Sequence, residues 1–187
     1  MVHVLAIFGS PHKDGNSATI ANALLDGAMG LSTNLIDICS LSGLNSVAGC
    51  RAGNSCKKTG HCMICDDLTK PLELFRDADA VVVAVPIYFG HACSQYRQFE
   101  VRLYGFIDSK GKSVLPAGKK VVVIVTCGGG KAEAQQVADN IESVFVKYFR
   151  CQACGKIVYI APEENSAKND PAVLKQAREL GYGLWKN

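Results

Sequence analysis

No apolar stretch in these 187 residues reaches the roughly 18 needed to cross a bilayer, so no membrane association is expected. No basic run is long enough to track a phosphate backbone. Twenty Lys+Arg against seventeen Asp+Glu leave a net charge of only +3, which makes nucleic acid a poor partner. No basic leader precedes the apolar start, MVHVLAIF, which runs straight into Gly-Ser-Pro. It reads as a buried strand, not an export signal, and a cytoplasmic protein is expected. No linker or internal repeat divides the chain, so residues 1–187 are expected to form a single domain. A hydrophobic content of 48% with 20% charged residues excludes a disordered chain. Cysteine, by contrast, is plentiful. Nine thiols without an export signal suit a reducing compartment, where they serve metals, redox chemistry or packing.

The periodicity predicts strands at His3–Phe8, Thr33–Cys39, Ala80–Val85, Lys119–Thr126 and Lys156–Ala161. Helices are expected at Asn16–Met29, Leu68–Asp77, Ser94–Phe106, Lys131–Tyr148 and Pro171–Leu184, the last capped by Asp170 with Pro171 in its first turn. Residues 40–67 have no clear period and form a Cys-rich insertion at about 43–67. Strands that are apolar throughout are covered on both faces, and alternation with helices makes the sheet parallel and doubly wound, a three-layer α/β sandwich. Ligands of such sheets bind beyond the carboxyl ends of the strands. The loops after Phe8, Val85 and Thr126 are therefore expected to converge.

All three loops are unusual. Gly9–Ser17 (GSPHKDGNS) has glycines at both ends, hydroxyl and amide donors on Ser10, Asn16 and Ser17, and positive charge on His12 and Lys13. The amides of the following helix turn would point into it, making an anion site. It matches neither G-x-x-x-x-G-K-[ST] nor G-x-G-x-x-G, so a monophosphate suits it better than ATP or a dinucleotide. An ordinary capped strand-to-helix connection would look much the same. In Pro86–Ser94 (PIYFGHACS), Pro86 is expected to end the strand, and Tyr88, Phe89 and Gly90 suit a flat ligand, a cover for the core or a subunit contact. Thr126–Gly130 (TCGGG) exposes backbone amides, or is simply a flexible turn. Together they describe a phosphate cup, an aromatic wall and an amide-rich edge, a match for a phosphorylated planar ring such as FMN.

The ordered series GSPHKDGNS, CKKTGHCMICDDL and ADAVVVAVPIYFG resembles the NADPH-dependent FMN reductase-like branch of the flavodoxin-like superfamily, and within it the iron–sulfur flavoprotein subgroup. The likeness runs from about Val2 to Phe106 and more loosely beyond. It implies a five-stranded parallel sheet of order 2-1-3-4-5, FMN as cofactor, NAD(P)H as co-substrate, a small-molecule or protein electron acceptor, and a homodimer or homotetramer. It also implies that Ser10, His12, Asn16 and Ser17 hold the phosphate. Pro86, Ile87, Tyr88, Phe89 and Gly90 would lie against the isoalloxazine, with Cys127, Gly128 and Gly129 at its pyrimidine edge. No residue is singled out as an acid–base catalyst.

The iron–sulfur subgroup carries C-x2-C-x2-C-x(4–7)-C after the second strand. This chain has Cys50, Cys56 and Cys62 in matching places, Gly53 at the second position and an additional Cys65. The four thiols suffice for a [4Fe–4S] cluster only if Cys65 replaces the missing ligand, so a flavin-only protein is favoured and an electron-transfer iron–sulfur flavoprotein is the alternative. Zinc on these four, or on Cys62 and Cys65 with Cys151 and Cys154, has less support. Cys151 and Cys154 are expected to close the long helix beside Gly155 as its C-cap and to serve packing. Cys39 and Cys93 read as core and loop thiols, and His3 as a satisfied core or edge histidine. His91 follows the aromatic loop and could face a substrate, though an isolated surface histidine is the simpler reading. Asp66 and Asp67 are expected to cap the next helix. An electron-transfer flavodoxin is disfavoured by the phosphate loop and the positive charge, and a receiver domain by Phe8, Gly9 and Ser10 where acidic residues are needed.

Overall fold

Ala80–Tyr88 and Lys120–Cys127 are valine-rich on both faces, so neither can border water; both lie at the centre of a parallel sheet. Residues 2–29, 34–164 and 166–184 are described by a computed structural model. The strands are β1 (His3–Phe8), β2 (Leu35–Ser40), β3 (Ala80–Tyr88), β4 (His91–Ala92), β5 (Lys120–Cys127) and β6 (Gln152–Ile160). The helices are α1 (Asn16–Met29), α2 (Cys56–Thr59), α3 (Thr69–Asp77), α4 (Ser94–Arg102), α5 (Lys131–Phe149) and α6 (Pro171–Gly183). The parallel strands run in the order β2-β1-β3-β5-β6, which is the expected 2-1-3-4-5 once the two-residue β4 is set aside. Thr33, expected to open the second strand, lies outside the described residues.

Side chains alternate between two apolar layers. Leu5, Ile7, Val81, Val83, Val121 and Val123 face α3, α4 and α5, where Phe75 packs its ring against Phe99, Phe106, Phe145 and Phe149 at centroid distances of 6.3, 5.8, 5.8 and 5.4 Å. Val4, Ala6, Val82, Ala84, Val122 and Ile124 face α1 and α6. These two helices cross almost backbone to backbone. A Cβ on Gly27 would enter the Arg178 carbonyl, and one on Gly181 would enter the Leu24 carbonyl. Asp170 caps α6 as expected, accepting from the Ala172 and Val173 amides at 3.0 and 3.2 Å, with Pro171 in the first turn.

Three boundaries depart from the sequence reading. Pro86 does not end its strand. It pairs in register with Thr126, and β3 continues to Tyr88, because a proline ring permits an extended backbone. Residues 103–106 tighten from α4 into a 3-10 turn. Cys154 and Gly155 do not close α5. Arg150 takes the left-handed conformation that ends the helix, and both residues belong to β6. Gly155 sits at a bulge with φ +150, a conformation that strains any side chain, and a Cβ there would also meet the Leu180 side chain of α6. Cys151 is buried and burial pushes its thiol up to about 11, as expected of a packing residue. His3 is satisfied by Asp37, 2.8 Å from its Nε2. Among the described residues, no helix is long and apolar enough to cross a membrane.

Candidate functional site

The first turn leaves β1 at Gly9, whose N–H bonds the Ala84 carbonyl of β3 at 2.9 Å. A Cβ there would come within 2.7 Å of Cys93 Sγ, and that thiol donates to the Gly9 carbonyl at 3.3 Å. Burial pushes the Cys93 thiol up, so it acts as a neutral staple between the first turn and the start of α4. Ser10 is buried. Its Oγ accepts the His12 N–H at 3.1 Å, and its carbonyl accepts from Ser42 Oγ at 3.1 Å. Gly15 N–H closes the turn on the His12 carbonyl. Ser17 is buried in the first turn of α1.

Asn16 turns elsewhere. Its Oδ1 accepts the Ala167 N–H at 2.8 Å and its Nδ2 donates to the Glu163 carbonyl at 3.2 Å. What Asn16 can offer an anion is therefore its backbone N–H. His12 Nδ1 lies 3.5 Å from Glu164 Oε1 with both side chains largely exposed, so that carboxylate competes with any anion for His12. The sequence reading missed this whole segment. Glu163, Glu164 and Ala167 carry no motif, and only tertiary folding lays them beside the first turn.

The second turn is a hairpin. Tyr88 pairs with His91 and Ile87 with Ala92, leaving Phe89 and Gly90 as a two-residue link with φ +50 and +74. Paired left-handed residues match the right-handed twist of a hairpin, which normally favours Asn-Gly. Phenylalanine in that conformation is uncommon, and its ring is wholly exposed, at 101%. Tyr88 is half-exposed beside it.

The third turn follows β5. Cys127 Sγ donates to the Gly129 carbonyl at 2.8 Å, and the Ala161 N–H bonds the Cys127 carbonyl at 2.7 Å. Nothing stands within 4 Å of where a Cβ on Gly128 or Gly129 would lie, and Gly130 takes φ +70 at the start of α5. The second and third turns meet. Ile87, Phe89, Gly90 and Cys127–Gly130 line one cavity of about 470 Å³, closed below by Glu133 and Ala134. Ser10 does not line that cavity, but its turn leaves the same edge of the sheet one strand away, because β1 and β5 flank β3. His91 faces a separate cavity of about 420 Å³ with Arg97, Glu100 and Asn140. A larger cavity, about 870 Å³, holds none of the expected site residues. It lies between α4 and α5 and is lined by Lys57, Val101, Tyr104 and Tyr148 among others.

The acidic pair does different work from capping. Asp67 accepts the Asn45 and Ser46 amides at 2.8 and 2.9 Å. Asp66 accepts the Ala48 and Leu68 amides at 2.9 and 3.0 Å and pairs with the buried Arg102 at 2.8 Å. The residue that caps α3 is Leu68, and its side chain makes no cap bond. Both carboxylates clamp the Cys-rich loop to the body of the molecule. Burial opposes the Asp66 charge, yet the Arg102 guanidinium and the two amides prevail and hold the carboxyl below its usual range. A group so depressed adds stability above its unfolded value and loses it as pH falls through the folded one. Urea midpoints are therefore expected to drop as the pH is lowered through and below the ordinary carboxylate range. Asp66→Asn is expected to be less stable at neutral pH and to show a shallower acid slope.

Of the loop thiols, Cys50, Cys56 and Cys62 line a small cavity of about 90 Å³ together with Gly53, and Cys65 does not line it; Cys50 and Cys65 are exposed. Among the described residues, no group of three or more His, Cys, Asp or Glu side chains is placed to hold a metal ion.

The NADPH-dependent FMN reductase family profile matches residues 2–166. An iron–sulfur flavoprotein of Methanocaldococcus jannaschii is 32% identical over 194 residues, covering 95% of this chain and 93% of its own. Among solved structures, an NAD(P)H:quinone oxidoreductase from Methanothermobacter marburgensis superposes with a TM-score of 0.70 at 16% identity, over 100% of this chain and 98% of that one. An FMN-dependent NADH-azoreductase from Bacillus anthracis, solved with FMN, superposes with a TM-score of 0.71 at 14% identity, over 98% and 100%. The structural likenesses establish the flavodoxin-like fold, and the sequence match over most of the chain establishes more: this protein belongs to the NADPH-dependent FMN reductase family.

Proposed function

We propose that the chain holds FMN across the three turns, takes hydride from NAD(P)H and passes the electrons to a small-molecule or protein acceptor. The observation that carries this reading is the meeting of Ile87, Phe89 and Gly90 with Cys127–Gly130 on one cavity, with the Ser10 turn leaving the adjacent strand end.

The residues fit the cofactor. Ser10 is a buried hydroxyl beside the first turn of α1, where backbone N–H groups and the helix dipole favour an anion. Ser17 and the backbone N–H groups of Asn16 and Ser17 complete the phosphate cup, with the His12 ring nearby. Open space over Gly128 and Gly129 lets a polar ring edge approach the backbone N–H groups, which favour negative charge there. Phe89 and Gly90 shield one ring face from water. Bound in this place, FMN supplies the two-electron chemistry. Binding, orientation and exclusion of water fall to the protein, in accord with the absence of an acid–base pair among the expected site residues.

The cavity between α4 and α5 supports the expected homodimer or homotetramer. Val101, Tyr104 and Tyr148 are exposed along it, an apolar surface that a second copy would cover. The enzymatic reading is tested by anaerobic mixing of the FMN-loaded protein with NADPH or NADH, followed by ferricyanide as a neutral choice of acceptor. Oxidation of the nicotinamide that depends on bound FMN is expected. Stoichiometric FMN without any such oxidation would rule out the reductase and leave a flavin carrier.

A further inference from the structure

The name of the similar archaeal proteins points to an iron–sulfur cluster, and the donor set of residues 50–65 does not fit one. Gly53 stands at the second ligand position. Cys50, Cys56 and Cys62 line a cavity of about 90 Å³ that Cys65 does not line; Cys50 and Cys65 are both exposed, and Cys65 Sγ lies near the Met63 carbonyl. We infer that in this chain the buried Arg102, in place of a metal centre, closes and orients the loop between Ala48 and Asp66.

Arg102 is 1% exposed, and its planar fork reaches the start of that loop and several points along its closing stretch. Its Nη1 donates to the Ala48 carbonyl and to Asp66 Oδ2, both at 2.8 Å. Its Nη2 donates to the Ile64 carbonyl at 2.8 Å, and its Nε to Cys62 Sγ at 3.1 Å. Cys62 thus acts as a hydrogen-bond acceptor. Four acceptors around one obligate cation tie segments 48, 62 and 64–66 together, which is the cross-linking that a cluster gives a cysteine loop. A lysine carries the same charge but has no planar fork to reach carbonyls, sulfur and carboxylate at once. Lys57 fastens the remaining part. Its Nζ donates to the Tyr104 and Ile107 carbonyls at 3.0 and 2.6 Å and lies 3.2 Å above the Tyr104 ring. Held in this way, the loop presents Asn54 and Lys57 as one wall of the 870 Å³ cavity, so Arg102 also sets the shape of that surface. The inference does not depend on where FMN binds.

Anaerobic reconstitution of the full chain with ferrous iron and sulfide, followed by desalting, is expected to leave fewer than about 0.5 iron atoms per chain. Amide exchange across residues 48–66 is expected to be the same with and without a chelator, and to change less than about twofold in Cys50→Ser/Cys56→Ser. Arg102→Lys is expected to speed exchange in that segment about tenfold or more while β3 and β5 stay protected. The inference is overturned by about four irons per chain with sulfide to match, by loop exchange that rises on chelation or in the double-serine variant, or by an Arg102→Lys loop as protected as wild type. The chelation and double-serine arms decide the question even if Arg102→Lys does not fold.

Discussion

Ser10→Asp is expected to weaken FMN binding by about two to three orders of magnitude while the fold survives. A carboxylate at residue 10 would stand against the phosphate in a partly desolvated turn. Two like charges roughly 5 Å apart at an effective dielectric near 20 repel by about 3 kcal/mol, which is about a hundredfold in Kd, and the second phosphate charge adds to it. The substitution is tolerable in the free chain because an aspartate can accept the His12 N–H as the serine Oγ does at 3.1 Å. Ser10→Asn keeps that acceptor without the charge, so the gap between the two variants isolates the electrostatic part. Fluorescence titration of FMN against both, with melting curves as a fold control, checks the claim. Asn16→Asp is expected to have the smaller effect. The Asn16 side chain is engaged by Glu163 and Ala167, so a charge placed there is held away from the cup.

The second large effect concerns stability. Gly181→Ala is expected to lower Tm by roughly 6–12 °C, from overpacking of about 3 kcal/mol in a chain where each kcal/mol shifts Tm by about 2–4 °C. The cause is that a Cβ at Gly181 would enter the Leu24 carbonyl of α1, and the obstacle is backbone, which cannot swing aside as a flexible side chain does. Gly183 in the same helix faces open space, so Gly183→Ala is the control. It is expected to be neutral or to stabilise by a few tenths of a kcal/mol, since alanine is the better helix former. Equal Tm values for the two variants would mean that α1 and α6 do not cross as closely as described.

Much of this architecture could be read from the chain because burial on both faces leaves a plain trace. Val121–Val125 and Val81–Val85 have no polar alternation, and that alone demands a covered parallel sheet. The turns that follow such strands are forced to one edge, so the Tyr88 and Gly128 turns could be paired before any coordinates existed. What escaped the reading depends on contacts between distant residues. Pro86 looked like a stop because proline usually is one, yet its partner Thr126 needs only an extended neighbour. Gly155 reads as a helix cap from sequence, whereas the glycine is needed for the φ of +150 at the β6 bulge, beside the Leu180 side chain. Arg102 falls among buried Phe99 and Leu103 with no local sign that its partners lie 36 to 54 residues away, at Asp66, Ile64, Cys62 and Ala48. Asp66 and Asp67 precede a helix, and adjacency suggested caps. Asp67 instead accepts amides on the far side of the cysteine loop, and Asp66 adds the Ala48 amide and Arg102 to its one local bond from the Leu68 N–H.

The central claim is that the Gly9–Ser17 turn grips a phosphate while the other two turns receive the ring. Calorimetric titration of the purified chain with FMN and, separately, with riboflavin tests it most directly, because the two ligands differ only in that phosphate. Binding of FMN at one per chain, about a hundredfold tighter than riboflavin, is the expected result. Equal affinities for the two, or no binding of either, would contradict it.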